Sequence, residues 1–342
     1  MKAARRASAV IIGFVFFLAG ILKLMDPVGA GLVVEEYFKF FHLRFLTFSS
    51  EGVGVIAALA ETLTGAALIT GVWRRIVGIV AGVMLAFFTL LTLVLLIANP
   101  VMDCGCFGEA VHLTHLQSFL KNVALCALWA LAFIPLSAQE EPRKTKYAAF
   151  GVAALSVMVF MIMSLAGIPL MDFTPYAPGE ELQSDGTVLS FSDSEGQYCD
   201  SLAVDSQVAL VTVYDCREMT AASWKKVSAS MDDASEAGFN PLLLVASTPS
   251  AFASQAPQDL SSRAYFADRK DLLTFNRSNG GMTAVCDGQI VAKWPLSGHR
   301  DLSDLVINDS ADATELMMKK ESSRKMKFQG FLLYVFAVML LI

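Results

Sequence analysis

The sequence predicts a mixed fold: an α-helical membrane bundle with additional membrane helices, followed by a water-facing α/β domain. Two observations predict it. The first is hydropathy arranged in blocks. Of the 342 residues 55% are hydrophobic and 17% charged. The excess falls in runs long enough for a helix to cross a bilayer, about 18 residues or more. The second is a change near residue 170, where Ser, Asp and Ala take over and strand and helix patterns alternate. The net charge of −6 identifies no partner. No basic patch is interleaved with aromatics, so nucleic acid is not an expected partner.

The apolar runs lie at 7–25, 52–71, 76–98 and 116–136, with a fifth at 147–169. The first reads as a retained helix, since Lys23 and Asp26-Pro27 follow with no small-x-small cleavage site. After it, "VVEEYFKFFHLRF" carries Tyr37, Phe38, Phe40, Phe41 and Phe45, which suits an amphipathic segment at the lipid surface. "AQEEPRKTKY" (138–147) is a polar linker to the fifth run. The last run, 328–342, is about 15 residues long, marginal for spanning. It reads as a short sixth span or an interfacial end.

Basic residues set the orientation. Lys2, Arg5 and Arg6, then Arg74 and Arg75, then Arg143, Lys144 and Lys146 share one side if every run spans, and that side is cytoplasmic. The expected location is the cell inner membrane, multi-pass, with lipid as the surrounding partner. The loop holding Cys104 and Cys106, and the large domain, then face the periplasm or exterior. Lys319, Lys320, Arg324, Lys325 and Lys327 run against this pattern and suit a membrane-surface anchor or a solvated helix face.

In the outer half, "VALVTVYD" (208–215) reads as a buried strand, "MTAASWKKVSASMDDASEAG" as a helix and "PLLLVAST" (241–248) as a second strand. A helix or loop near 258–277 leads to a hairpin at 281–294, turned by Asp287-Gly288. This is the order of a thioredoxin-like domain. The expected divisions are 1–137 for the membrane bundle, 138–170 for linker and fifth helix, 171–310 for the outer domain, and 311–342 for the basic segment and terminal helix. Cys199, Cys216 and Cys286 form an odd set, so at most one bridge closes among them. Cys216 stands where a thioredoxin begins its Cys-x-x-Cys, but Arg217-Glu218-Met219 follow and no proline lies between 257 and 294. The domain is therefore not expected to work as a dithiol oxidoreductase.

The chemistry concentrates in "VMDCGCFGEAVHLTH" (101–115). Residues two apart in a turned loop have Cα atoms about 5.5–7 Å apart, within reach of a disulfide. Gly105 permits the tight backbone that so small a ring needs. Such a ring is strained, and strained disulfides exchange easily. Three readings stay open: a redox pair, a structural staple, and a zinc or copper site built from Cys104, Cys106, His112 and His115. Cys-x-Cys followed by His-x-x-His is not a common zinc spacing, and His115 stands at the start of a membrane helix. Glu61 lies inside an apolar run, where an ionisable group faces the bundle interior or a water path. It reads as a proton relay or a contact for a quinone head group, or as a structural partner for Lys23, Lys121 or Asn122. Lys23 alone can snorkel to the outer surface. Cys126 reads as a packing residue.

The membrane half resembles the DoxX-like and MauE (methylamine utilisation) redox-associated membrane proteins. "GILKLMDP" (20–27) resembles that group's Gly-x-x-Lys-x-x-Asp-Pro, and "AETLTGAALITGVWRR" (60–75) its Glu-x-x-x-Gly helix closing on a basic loop. "DCGCFG" (103–108) with "FLKNVAL" (119–125) resembles its cysteine loop and following helix. The resemblance implies a four-helix bundle whose Cys104 and Cys106, with Glu61, take part in thiol–disulfide chemistry or in maturing exported proteins. Gly105, Asp103, Lys23, Asp26, Lys121 and Asn122 would support them. It implies a periplasmic thiol protein or client as partner, and quinone as a possible acceptor, although quinone-linked disulfide-forming bundles use Cys-x-x-Cys. The alternative is a non-enzymatic assembly protein with a stapled loop.

Overall fold

The computed structural model describes residues 2–135, 142–165, 167–184, 188–255, 257–261, 263–298 and 313–341, without the side chains of Gln258 and 313–322. Residues 138–141 of the expected linker lie outside these, as do 299–312, where the outer domain was expected to end, and the side chains of Lys319 and Lys320. The chain forms two compact units, Met1–Leu165 with Phe328–Ile342, and Ala166–Lys327.

The first unit is helical. α1 (Lys2–Met25) leads into α2 (Pro27–Phe40), whose first turn is capped by Asp26 Oδ1 accepting from Gly29 N at 2.9 Å. A 3-10 turn at Arg44–Ser49 precedes α3 (Ser50–Thr70), which ends on Gly71 in the left-handed region. α4 (Arg74–Ala98), a short strand β1 (Cys106–Glu109), α5 (His115–Phe133) and α6 (Lys144–Leu165) follow. Among the described residues α1, the Arg44–Thr70 segment, α4, α5 and α6 are long and apolar enough to cross a membrane. This is a multi-pass membrane protein. α6 stops at Leu165, short of the run read to 169, and Pro169 lies in the non-helical stretch that follows.

α1 is the central helix, with Ile12, Phe16, Phe17, Ile21 and Leu24 buried. It meets α3 backbone to backbone: a Cβ on Gly20 would overlap Thr62, and one on Gly65 would overlap Phe17. Close approach of this kind is how helices associate in lipid, where apolar burial gives no drive between them. α4 faces outward. Its Ile76, Val83, Leu90 and Ile97, seven residues apart, are 62–76% exposed, the stripe a lipid-facing helix presents.

The basic residues gather at one end of this unit. Arg5 donates to the carbonyls of Ala132 (3.1 Å) and Pro135 (2.9 Å), at the end of α5. Arg6 donates to Leu68 O (2.8 Å) and Ile69 O near the end of α3. These cations satisfy carbonyls that a helix C-terminus leaves open, and they oppose the negative end of its dipole.

The second unit holds a six-stranded sheet. Its elements are β2 (Phe191–Ser192), β3 (Gln207–Val213), α7 (Ala221–Glu236), β4 (Asn240–Val245), α8 (Pro249–Gln255), α9 (Gln258–Ser261), β5 (Ala264–Ala267), α10 (Arg269–Phe275), β6 (Gly281–Cys286) and β7 (Gln289–Trp294). The strand order is β2-β5-β4-β3-β6-β7. β3, β4 and β5 are parallel, and β6 runs antiparallel to β3. Asp287 (φ +48°) and Gly288 (φ +80°) make the β6–β7 turn, both left-handed as a type I′ hairpin requires. Alternation along β3 sends Ala209, Val211 and Val213 to a core with Trp224 and Met231, and Val208 and Leu210 to one with Tyr176 and Phe275. The region read as one helix or loop near 258–277 contains β5. Four residues, "AYFA", are too few to show a period in sequence.

Lys293 on β7 makes a 2.7 Å ion pair with Asp172, the two side chains 5% and 14% exposed. Burial alone would raise Asp172, but Lys293 and hydrogen bonds from Thr174 hold its carboxyl below the usual range. Replacing Lys293 with Met leaves a buried carboxylate unpaired and should destabilise this unit by about 3–5 kcal/mol. Because the folded value is depressed, the pair's contribution is present above the unfolded pKa of about 3.9 and is lost as pH falls through the folded value. Urea unfolding of the full-length protein followed by near-UV circular dichroism should show the gap between variant and wild type closing on acidification.

α11 (Ala313–Leu341) closes the chain. Its Phe336 packs on Phe14 and Phe17 of α1, and its Phe331 stacks on Phe160 of α6 at 4.9 Å. The run read as marginal for spanning is thus the end of one longer helix that rests on the first unit.

Candidate functional site

The site forms where α4 gives way to α5. α4 stops at Asn99 in the left-handed region, with Pro100 behind it. α5 starts with a capping box: Gln117 N donates to Thr114 Oγ1 (3.2 Å) and Thr114 N to Gln117 Oε1 (3.0 Å). Between these fixed ends the loop folds back, at the end of the unit opposite the basic residues.

Gly105, at φ +62°, turns the chain so that Cys104 Sγ and Cys106 Sγ stand 2.8 Å apart, both as free cysteines. Cys104 is buried and Cys106 half-buried. A Cβ on Gly105 would also overlap Val33 Cγ1 of α2. Gly105→Ala therefore meets strain of about 1 kcal/mol from its φ and a clash besides. It should slow exchange by about ten- to a hundredfold through misplacement of the sulfurs. Val33→Ala in the same chain should restore part of that loss, read as the rate of dithiol oxidation by a small disulfide.

The loop is held from α2. Tyr37 donates from its hydroxyl to Cys104 O at 2.8 Å, and burial pushes its phenol up, so it stays a donor. Lys121 Nζ sits 4.8 Å above the Phe107 ring. The Cys104 thiol donates to the Cys106 sulfur, and Lys121 and Lys23 stand behind it. Together they outweigh burial and pull Cys106 below the ordinary thiol value. Cys104 moves up, because its proton is held in the bond to Cys106 and it is buried. Wholly buried Ser118 lies beside Cys104, its hydroxyl without a partner of standard hydrogen-bond geometry.

A cavity of about 510 Å³ adjoins the pair, walled by α1 to α5. Its surface is almost all apolar, with Val34, Phe38, Phe87 and Phe88 among the lining residues. Glu61, 4% exposed, is gripped on both oxygens by Lys23 Nζ, at 2.8 and 2.9 Å. Both line the cavity, with Lys121 and Asn122.

Asn122 stands at the cavity wall, and the remaining sequence candidates fall outside this cluster. Asn122 donates to Phe88 O (3.1 Å) and Thr92 Oγ1 (3.2 Å), tying α5 to α4. Asp26 caps α2. Asp103 accepts from His112 Nδ1 at 2.9 Å on the surface, and His115 Nε2 lies 3.1 Å from Pro100 O. The histidines do not join the cysteines, and among the described residues no three His, Cys, Asp or Glu side chains group as a metal site. Cys126 packs against Thr89. In the second unit Cys199, Cys216 and Cys286 are free. Cys216 follows β3, its thiol pushed up by burial and by the Asp215 carboxylate.

The contribution of α2 was missed in sequence. "VVEEYFKFFHLRF" reads as an aromatic surface segment, but Val33, Tyr37, Phe38 and Phe41 form a cavity wall while Phe45 and Phe48 are exposed. Tyr37 follows Val33 and Val34 by one helical turn, a spacing that would have assigned it to the same face as them.

The family model of methylamine utilisation protein MauE matches residues 1–135, spanning the Lys23–Glu61 pair, the Cys-Gly-Cys loop and Lys121. Residues 1–135 of the 342 are thus similar to the MauE family. No curated protein and no solved structure matches the chain. Every residue that touches the dithiol or lines the cavity lies within the matched segment.

Proposed function

We propose that the MauE-like unit is a membrane thiol–disulfide relay serving the maturation of exported proteins. Cys104 and Cys106 cycle between dithiol and disulfide and exchange with an extracytoplasmic thiol protein. The observation that carries this reading is the juxtaposition of the two sulfurs at 2.8 Å, with Lys121 beside the sulfur that holds the thiolate. A pair meant only to pin the loop needs no nearby cation to lower a thiol. Cys106 is the nucleophile. Its thiolate attacks a disulfide of the partner, the partner's second sulfur leaves as thiolate, and Cys104 then displaces the partner's first sulfur to close the Cys104–Cys106 bond. The reverse sequence oxidises a partner dithiol.

The gathering of Arg5 and Arg6 at the ends of α3 and α5 supports a cytoplasmic position for that end, and hence an outward position for the loop. The second unit's strand order supports a thioredoxin-like fold, and its single Cys216 with a raised thiol supports client docking over catalysis. Thiol trapping of the full-length protein across a series of redox buffers tests the relay. A two-electron transition between reduced and oxidised pair is expected. A pair that stays reduced throughout, or stays closed under strong reductant, would sink it.

A further inference from the structure

We propose that Ser118 is the hydrogen-bond donor for Cys104 in its thiolate form, the form in which that sulfur resolves a mixed disulfide on Cys106. This inference rests on the relay reading and adds a residue that the reading does not use.

Ser118 departs from other hydroxyls of the membrane helices. A serine or threonine inside a helix has a ready acceptor in the carbonyl four residues earlier. Thr62, Thr70, Thr89, Thr92 and Ser156 all use it, donating to the carbonyls of Ala58, Ala66, Leu85, Phe88 and Val152. Ser118 is wholly buried, yet its hydroxyl makes no such bond to Thr114 O. An unpaired buried hydroxyl costs stability, and its retention marks a use.

The neighbouring polar groups are engaged elsewhere. Three and four residues along the same face of α5, Lys121 stands by Cys106, and Asn122 donates to Phe88 O and Thr92 Oγ1. Tyr37 holds the Cys104 carbonyl and not its sulfur, and Lys23 holds Glu61. The sulfur beside Ser118 is that of Cys104. In the reduced pair this sulfur needs no donor, because it carries a proton and directs it to the Cys106 sulfur at 2.8 Å. An idle hydroxyl here matches a charge that arises only during turnover, and a donor of that kind lowers a barrier without stabilising the ground state.

Once Cys106 is joined to the partner it has no charge and no longer draws the Cys104 proton. That proton passes to the thiolate the partner released in the first step. The Cys104 thiolate, accepting from Ser118, attacks the Cys106 sulfur. The Cys104–Cys106 bond forms, the bond from Cys106 to the partner breaks, and the electron pair leaves on the partner's first sulfur. In the reverse direction a partner thiolate attacks Cys106 and Cys104 leaves as the thiolate, so the same donor serves. The other ionisable groups around the pair are Lys23 from α1, Tyr37 from α2, Glu61 from α3 and Lys121 from α5, and among the described residues α4 adds none to the cavity wall. On the loop itself Asp103 pairs with His112 at the surface.

The test is oxidation of the full-length protein in nanodiscs by an aromatic disulfide. This probe releases one coloured thiolate when Cys106 attacks and a second when Cys104 resolves the adduct. Ser118→Ala should leave the first release unchanged and slow the second about ten- to a hundredfold, the worth of a hydrogen bond to a charged group. The second release should recover as pH rises, because added base supplies the thiolate that the lost donor no longer favours. SDS-induced unfolding should show Ser118→Ala as stable as the wild type or more so, since no ground-state bond is removed. Ser156→Ala, which removes a hydroxyl bonded within its own helix, should leave both releases alone. A second release that is equal in Ser118→Ala and wild type at every pH overturns the proposal and leaves the relay intact. A Ser118→Ala protein that is destabilised, or that slows both releases alike, assigns the hydroxyl to structure and also overturns it. A wild type that releases a single thiolate overturns the relay and the proposal with it.

Discussion

Replacing Cys106 with serine should drop exchange with a disulfide substrate below about one-thousandth of the wild-type rate, the size of loss that follows removal of a nucleophile. Replacing Cys104 with alanine should have a different outcome. The remaining Cys106 still attacks, but nothing resolves the adduct, so a mixed disulfide with the partner accumulates and is visible on a non-reducing gel. The asymmetry follows from where the proton sits. Cys104 donates to Cys106 and Lys121 lies close by, so Cys106 is lowered and Cys104 raised. A lowered thiol keeps its thiolate to lower pH, so alkylation of Cys106 by iodoacetamide should persist below the ordinary thiol value of about 8.5 and fade as pH drops through its own. Cys104→Ala removes the donor and Lys121→Met removes a cation, and each should move that fade-out upward in pH. If both single-cysteine variants titrate like a free thiol, the assignment of roles is wrong. The captured partner, identified by mass spectrometry, also tests whether it is an extracytoplasmic thiol protein.

The spans, the cysteine loop and the hairpin of the outer unit were legible because each is a local signal. Runs of apolar residues, Cys-Gly-Cys and Asp-Gly declare themselves within a few positions. Glu61 was legible as a buried charge needing a partner, and Lys23 was among the candidates. What sequence alone could not supply was which of Lys23, Lys121 and Asn122 it meets, since that depends on how α1 and α3 rotate about a contact set by Gly20 and Gly65. The hold of Tyr37 on the Cys104 carbonyl spans 67 positions and involves a backbone acceptor, which leaves no mark in composition. The cavity is invisible for a related reason: it is a volume left between five helices, whereas a sequence specifies what fills space. β5 escaped notice because its pairing with β4, not its own pattern, makes it a strand.

Lys23→Met should destabilise the membrane unit by about 3–5 kcal/mol, the cost of leaving one member of a buried pair alone. Glu61 is gripped on both oxygens by Lys23 and is 4% exposed, so water cannot take over the lost contacts. Glu61→Gln should cost less, because the amide oxygen still accepts from the ammonium. Lys23→Met with Glu61→Leu should come close to the wild type in stability, since an apolar pair of similar volume can replace a buried ion pair at little cost. SDS-induced unfolding followed by circular dichroism provides the stability scale. The double variant then separates structure from chemistry. If it folds as well as the wild type and oxidises its dithiol as fast, the pair serves packing alone. If it folds well yet oxidises slowly, the charges act on the cavity. The slow reaction is expected of Lys23→Met alone, because Lys23 is one of the two cations that lower Cys106 and its loss leaves Glu61 uncompensated, whereas the double variant removes a cation and an anion together. A slower reaction that is rescued by raising the pH would identify the lost ingredient as thiolate, since more base restores what the missing cation no longer stabilises.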